Sequence, residues 1–399
     1  MINIQAPSGN VILPLFQMGF RPFFLGASLF SICAMSLWMG MSLFHWDIET
    51  LSLYQTLSNW HAHEMVFGYT LAVVAGFLLT AVRNWTGVQT AGGVRLMLLF
   101  SLWLLARITP YFSGSLLVVA SLDLMFDLFL LVLVVLPLYR AGMWPNIGLV
   151  GMSMLLILMA NLVFYSGLAG IVTDGAYYGI SAGVYLILAL IFLMGRRVIP
   201  FFIEKAVGGD VQLKNYKVID IAIPVCLLVF AIIDIIEPSS TLAALLAALL
   251  VIINIVRLAG WYVAGIWRAP LLWVLYIAYG WVVFGFVLKA ATLVFNIPPA
   301  LDIHAYTYGG IGLMTIGMMA RISLGHTGRN IYAASKLLPF IFILMVAGCF
   351  LRVVFPLFMG MYYGEFIAAS QLLWILANVL FLIVYTPIFI QPRIDGRPG

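Results

Sequence analysis

Five histidines are the residues in this 399-residue chain with the clearest chemical potential, because imidazole is a common ligand of haem iron and copper. We predict that His45, His61, His63 and His304 lie near the outer ends of membrane helices, and that His326 lies near an inner end. Burying an ionisable side chain in lipid is costly, so such a residue is a candidate for function. The histidines therefore predict a metal or haem site close to one face of a bilayer.

Helical geometry limits how these histidines can share a metal. In the segment WHAHEM, His61 and His63 are two residues apart and point about 200° apart on a regular helix, so they do not easily chelate one ion. One can ligate a buried iron while the other binds a second centre, caps the helix or faces another helix. His304 can supply the opposing axial ligand. His326 lies about 33 Å along the helix from His304, which predicts a separate inner site; a lone histidine can also be a hydrogen-bonded interfacial side chain.

Charged residues accompany the histidines inside apolar segments. Glu64 directly follows His63, and Asp123 and Asp127 are four residues apart, so they share one helix face. Three cations lie toward the predicted outer ends of other helices: Arg107, Lys289 and Arg352. The carboxylates suit proton delivery and the cations suit haem propionates. Alternatively, the two kinds of charge pair with each other and make helix contacts tolerable in lipid.

The composition predicts that lipid surrounds most of the chain. Apolar residues make up 64% of the sequence and charged residues only 8%, whereas about a quarter of an average soluble domain is charged. Apolar runs of about 20 residues recur from end to end, which is the length that crosses a bilayer. We therefore expect an all-α polytopic membrane protein of about twelve helices. The predicted helices cover 22–44, 60–82, 94–109, 115–138, 147–169, 177–199, 218–236, 240–262, 271–295, 303–325, 336–358 and 366–390.

Charge in the connections predicts the orientation. Basic residues gather in alternate connections and acidic residues in the others, so the positive-inside rule places both termini in the cytoplasm. The net charge of +5 is then a topology signal rather than a sign of nucleic-acid binding. We expect a single integral membrane domain over 1–399, with candidate halves 1–199 and 218–399 joined by a cytoplasmic connection.

Other patterns narrow the chemistry. Cys33, Cys226 and Cys349 lie far apart in apolar segments, as packing residues do. The chain contains no GxxxxGK[ST], GxGxxG, HExxH or CxxCH motif, so nucleotide use, zinc hydrolysis and covalent haem have no motif support, and any haem would be b-type. The segment RISLGHTGR, which ends at Arg329, together with Arg83, suggests either inner-face anchoring or a specific inner site.

Three blocks of the sequence resemble the NnrS family of bacterial haem-containing and copper-containing membrane proteins associated with nitric oxide. They are GFRPFFL at 19–25, WHAHEMVFGYTLAVVAGFLLTAVRNWTG at 60–87, and the region from His304 through RISLGHTGR to Arg329. The resemblance spans essentially the whole chain. It implies a multi-pass protein of the bacterial cytoplasmic membrane that handles nitric oxide or relieves nitrosative stress. His61, His63, His304 and His326 match the family's motifs, whereas His45 lies outside them, and the resemblance does not decide which histidine binds which metal.

The leading hypothesis is a haem b protein that binds nitric oxide at ferrous iron and reduces it to nitrous oxide. In this hypothesis His63 and His304 hold iron, His61 is an alternate ligand or part of a second centre, copper is a further candidate metal, and electrons come from quinol or a periplasmic donor. Glu64, Asp123 and Asp127 carry protons. A non-catalytic nitric oxide sensor or a haem or copper transporter is the second hypothesis, and a scaffold with interfacial histidines is the third.

Overall fold

The computed structural model describes residues 13–208, 211–298 and 300–397. Within these ranges the chain is helical and contains no strand, which confirms the all-α prediction. Twelve long helices follow one another in the described ranges: α1 Phe20–Leu43, α2 Leu57–Thr86, α3 Val94–Ile108, α4 Leu116–Arg140, α5 Trp144–Leu168, α6 Gly175–Val207, α7 Lys217–Ile236, α8 Thr241–Trp261, α9 Pro270–Ala291, α10 301–326, α11 Leu338–Phe358 and α12 Tyr363–Ile390.

Eleven helices of the described chain are long and apolar enough to cross a membrane. The helix that falls outside this set is α10, the tenth of the predicted spans. It is a continuous helix of sufficient length, but it carries Asp302, His304 and Arg321 and is rich in glycine. The multi-pass architecture is thus confirmed, while the location of the termini in the cytoplasm and the division into two halves stay predictions.

Two helices differ most from their predicted bounds. α2 begins at residue 57 because Thr56 caps it, accepting a hydrogen bond from the backbone nitrogen of Asn59 at 3.0 Å. It ends at Thr86 because the next residue, Gly87, has a left-handed φ of 69°. α6 continues to Val207, into the predicted connection at 200–217. Arginine, glutamate and lysine are good helix formers, so the polar run after residue 195 does not end the helix.

The described residues form two compact units. Unit 1 takes its residues from Met1–Gly183, Met319–Ala334 and Asn378–Gly399, and unit 2 from Val184–Met318 and Ser335–Ala377. In unit 1, α2 packs on α1 and α4, and α4 also packs on α3 and α5. In unit 2, α8 packs on α7 and α9, and α10 packs on α9 and α11. α2 is the most enclosed of the eleven apolar spans, with 83% of its most apolar stretch buried, so it can hold polar groups away from lipid.

Four of the helices contain a wider π-helical segment: 64–70 in α2, 147–151 in α5, 305–312 in α10 and 350–354 in α11. The first begins directly after His63 and the third directly after His304. A π-helical turn changes the direction in which the following side chains point, and such turns are frequent at functional sites. The local backbone thus marks two of the predicted histidines.

Candidate functional site

His63 is completely buried in unit 1, and both of its ring nitrogens are engaged. Nδ1 lies 3.1 Å from Glu64 Oε1, and Nε2 lies 3.1 Å from Asn161 Oδ1 and 3.2 Å from Asp123 Oδ2. The ring also stacks on Phe164, with 4.5 Å between the ring centroids. The imidazole is therefore held in position by polar partners on both edges and by an aromatic ring on one face.

These partners determine which ring nitrogens of His63 are protonated. The Asn161 amide nitrogen donates to Asp123 Oδ2 and Asp127 Oδ2, at 3.1 and 2.8 Å, which turns its oxygen toward His63. An amide oxygen only accepts, so His63 Nε2 carries a hydrogen. Glu64 Oε1 already accepts from the Tyr54 hydroxyl at 3.2 Å. His63 Nδ1 and Glu64 must then share a second hydrogen, as imidazolium and carboxylate or as imidazole and carboxylic acid.

Arg107 joins two of the carboxylates in the same buried group. Its Nη1 donates to Glu64 Oε2 at 2.8 Å, and its Nη2 donates to Asp123 Oδ1. All three side chains are at most 2% exposed. One guanidinium that bridges two carboxylates in this way gives a fixed geometry as well as charge compensation. Arg107 and Asp123 therefore form an ion pair, while the role of Asp123 in proton delivery stays a prediction.

Asp127 completes the group, which we call the His63 cluster: His63, Glu64, Arg107, Asp123, Asp127 and Asn161. Asp127 is 4% exposed and accepts from Asn161 through Oδ2, while its Oδ1 has no hydrogen-bond partner among the described residues. Tyr165 donates to Asp123 Oδ2 at 3.1 Å from the edge of the cluster. Three carboxyl groups thus surround one arginine and one histidine.

The π-helical segment of α2 makes room for Arg107. A Cβ atom at Gly68 would lie 2.8 Å from Arg107 Nη1 and 3.0 Å from Glu64 Oε2, so a larger residue there would displace the ion pair. The backbone oxygen of Gly68 accepts from Trp103 Nε1 at 2.9 Å, which satisfies a carbonyl that the wider turn leaves in the core. α2 and α3 are therefore locked together on either side of the cluster.

His304 in unit 2 has a different environment. Its Nδ1 lies 2.7 Å from the backbone oxygen of Ala300, and its Nε2 lies 3.1 Å from Arg352 Nη2. Ala300 is the residue directly before α10, and its φ of 68° is left-handed, which is unusual for alanine. Because a carbonyl only accepts, Nδ1 is protonated and Nε2 keeps its lone pair, which is the pattern of many metal-binding histidines.

The remaining predicted residues lie outside these two groups. In unit 2, Lys289 forms an ion pair with Asp234 and donates to the backbone oxygen of Pro238 at 2.7 Å. In unit 1, His61 is half-buried and stacks on Trp38 with 4.4 Å between ring centroids. The sequence analysis allowed Lys289 to pair with a carboxylate and His61 to face another helix, but it named neither Asp234 nor Trp38 as the partner.

His326, at the end of α10 in unit 1, lies with its Nε2 3.4 Å from Asn84 Nδ2 and with its ring 6.2 Å from that of Phe20. Arg393 donates to its backbone oxygen at 2.6 Å. Across the described chain, no three His, Cys, Asp or Glu side chains are arranged to hold a metal ion together. A haem iron needs only one or two protein ligands, so this finding bears on multi-ligand metal sites rather than on haem.

The model of the NnrS protein family matches residues 14–393, which is nearly the whole chain. The chain belongs to the NnrS family. No curated protein matches it. Membership makes this a membrane protein related to nitric oxide. The matched range includes the histidines of the WHAHEM and RISLGHTGR segments. In this NnrS protein, two of those histidines, His61 and His63, lie two residues apart yet have unrelated surroundings.

Proposed function

We propose that the protein binds nitric oxide with haem b in the bacterial inner membrane and reduces it to nitrous oxide, which relieves nitrosative stress. Two molecules of nitric oxide, two electrons and two protons give one nitrous oxide and one water. Quinol or a periplasmic protein supplies the electrons. The observation that supports catalysis rather than binding alone is the His63 cluster, a group that can hold protons inside the membrane.

His304 is the residue that would hold haem iron. Its hydrogen bond to Ala300 leaves Nε2 as the nitrogen with a lone pair, and Arg352 beside it is a cation of the kind that pairs with a haem propionate. Bound haem would supply a redox-active iron at which nitric oxide binds. Arg107 and Lys289, which the sequence suggests for the propionates, already pair with carboxylates. His61, which is half-buried, is the remaining outer-end candidate for copper.

His63 does not fit the role of iron ligand as it stands. Binding a metal through either nitrogen would break a hydrogen bond to Glu64 or to Asn161 and would place another cation beside Arg107. Its role as a ligand stays a prediction. We propose instead that His63 holds the hydrogen that it shares with Glu64 and takes part in proton transfer.

The His63 cluster can load and release protons through its own side chains. Arg107 and a protonated His63 balance two of the three carboxylates, so electroneutrality requires one further proton on a carboxyl group. Asp127 is suited to hold it, because its Oδ1 has no other partner in the described chain. Asn161 donates to both Asp123 and Asp127 and so couples the proton on Asp127 to the position of His63.

The test is nitrous oxide production by the purified, reduced protein supplied with nitric oxide, with the haem spectrum and the copper content measured on the same sample. Turnover that falls in Asp127→Asn but not in the matched surface variant Asp47→Asn would support proton delivery by the cluster, because Asp47 is an exposed carboxylate of the same unit. A stable nitrosyl spectrum without nitrous oxide would contradict catalysis and favour the hypothesis of a sensor or transporter. Protein that binds no haem at all would contradict the proposal.

A further inference from the structure

Four arginines gather around His326 at the predicted cytoplasmic end of unit 1. They come from separate parts of the chain: Arg21 from the start of α1, Arg83 from the end of α2, Arg329 from the turn after α10, and Arg393 from the segment after α12. Arg393 donates to the backbone oxygen of His326, its charge repels those of Arg21 and Arg83, and the charge of Arg329 also repels that of Arg21. We call Arg21, Arg83, Arg329 and Arg393 the cationic cluster.

Two members of the cluster have clear structural partners. Arg21, which is completely buried, donates through Nη1 to the backbone oxygens of Ile388, Phe389 and Gln391, at 3.2, 2.9 and 2.6 Å. These carbonyls lie at the end of α12, where the helix dipole favours a positive charge. Arg393 donates to the backbone oxygen of His326, at the end of α10. Arg21 and Arg393 therefore cap helices.

The other two members lack comparable partners. In the described ranges, neither Arg83 nor Arg329 forms an ion pair or a hydrogen bond to a carboxylate, and Arg329 Nη1 is buried without a hydrogen-bond partner. Asp395 is the one carboxylate within the described residues that pairs with the cluster, and it is engaged with Arg393 at 2.8 and 2.6 Å. Burial lowers the pKa of Arg329. The cluster thus carries an excess of positive charge that its protein surroundings do not balance.

Ordinary inner-face arginines extend into water or toward lipid headgroups, as the exposed Arg95 and Arg140 of unit 1 do. The cationic cluster instead converges from four parts of the chain on a half-buried position. Like charges held together in a low dielectric repel strongly, and an anion among them removes that penalty.

The same repulsion opposes binding of a metal cation at His326, which is the role predicted for His326 from sequence. His326 Nε2 faces the donating amide of Asn84, so Nδ1 is the protonated nitrogen and can serve as a further donor.

We propose that the cationic cluster binds an oxyanion, either the phosphate of an anionic lipid headgroup or a free phosphate-like ion. Arg83 and Arg329 are its principal ligands, because among the described residues neither guanidinium pairs with a carboxylate and Arg329 Nη1 has no hydrogen-bond partner. Arg21 and Arg393 contribute charge while they cap α12 and α10. This binding does not depend on haem or on nitric oxide.

The experiment is thermal unfolding of the full-length protein in phosphatidylcholine nanodiscs in phosphate-free buffer, titrated with inorganic phosphate or prepared with increasing phosphatidylglycerol. We expect the wild-type unfolding temperature to rise with at least one of the two probes. Arg83→Gln and Arg329→Gln should each weaken that response by about tenfold in apparent affinity, as expected for one charged hydrogen bond. Arg95→Gln, from the same unit and face, should respond like the wild type.

The baseline without anion separates a binding role from a structural one. Removing one arginine relieves repulsion, so Arg83→Gln and Arg329→Gln should unfold at the same or a higher temperature than the wild type when no anion is present. Arg83→Lys keeps the charge and should retain most of the response, which guards against a variant that merely folds poorly. A response to phosphatidylglycerol alone assigns a lipid headgroup, and a response to inorganic phosphate assigns a free oxyanion. No response in the wild type, or an equal response in Arg83→Gln, Arg329→Gln and Arg95→Gln, would overturn the proposal.

Discussion

His63 and His304 belong to the same predicted set of haem ligands but have opposite surroundings. His63 is enclosed by a carboxylate, an amide oxygen and an arginine that bridges two carboxylates, so both ring nitrogens are in use. His304 is only partly buried, with Nδ1 donating to a backbone carbonyl and Nε2 accepting from the Arg352 guanidinium. A histidine in the sequence is therefore only a candidate metal ligand. The hydrogen-bond partner of each ring nitrogen determines whether that histidine is suited to bind a metal.

The largest effect should come from breaking the ion pairs beside His63. Arg107→Met leaves Glu64 and Asp123 buried without their shared cation, and loss of one partner of a buried ion pair typically costs about 3–5 kcal/mol. The unfolding temperature in detergent should fall sharply. Arg95→Met, which changes an exposed arginine of the same helix, is the matched control and should change stability by less than about 0.5 kcal/mol. Equal stability of the two variants would show that Glu64 and Asp123 do not depend on the charge of Arg107.

Asn161→Leu should have the next largest effect. The amide donates to two carboxylates and accepts from His63, so its removal leaves Asp123 and Asp127 with fewer donors. Hydrogen bonds to charged groups contribute about 1.5–3 kcal/mol, and we expect a loss in that range. Denaturation of Asn161→Leu against Asn254→Leu is a suitable comparison, since Asn254 is also completely buried but bonds to the Leu250 backbone oxygen and the Tyr279 hydroxyl rather than to carboxylates. We expect Asn161→Leu to lose more stability, and an equal loss would contradict a special role of the two carboxylates.

The fold was largely predictable because apolar runs and charged connections carry the information that a membrane helix needs. The predicted helix at 218–236 and the observed α7 differ by a single residue at the start. The His63 cluster was only partly predictable. Glu64, Asp123 and Asp127 are charges in apolar segments and so are visible in the sequence, but Asn161 and Tyr165 are common residue types whose importance depends on the approach of α5 to α4. Asn161, the one asparagine of the predicted apolar run 147–169, was the available signal.

The two histidines can be separated directly by haem content. His304→Ala removes the nitrogen that would bind haem iron and should lower haem affinity by at least about tenfold, since even residues behind a metal ligand contribute that much. His63→Gln retains a polar side chain in the cluster and should keep haem, although it should impair turnover. The absorption spectrum and haem-to-protein ratio of the two purified variants check this. Loss of haem in His63→Gln with retention in His304→Ala would reverse the assignment.

The smallest effect, and the most specific for the hydrogen that His63 shares with Glu64, should come from Tyr54→Phe. Tyr54 lies before α2 and donates to Glu64 at 3.2 Å. Loss of this hydrogen bond should cost about 1 kcal/mol at neutral pH. Burial, and then the negative charge of Glu64, raise the pKa of Tyr54 well above 10.

This shift predicts a pH dependence with a defined sign. Between the unfolded pKa of about 10 and the higher folded pKa, the folded protein keeps the Tyr54 proton and the unfolded chain releases it, so the free energy of unfolding falls as pH rises through that range. Tyr54→Phe lacks this contribution, and its stability deficit relative to the wild type should shrink from about pH 9 to 11. Tyr139→Phe, at an exposed position, should follow the wild type at every pH. A Tyr54→Phe deficit that stays constant with pH would mean that the Tyr54 hydroxyl ionises as freely in the folded protein as in the unfolded chain, and the enclosed hydrogen bond to Glu64 would then have to be abandoned.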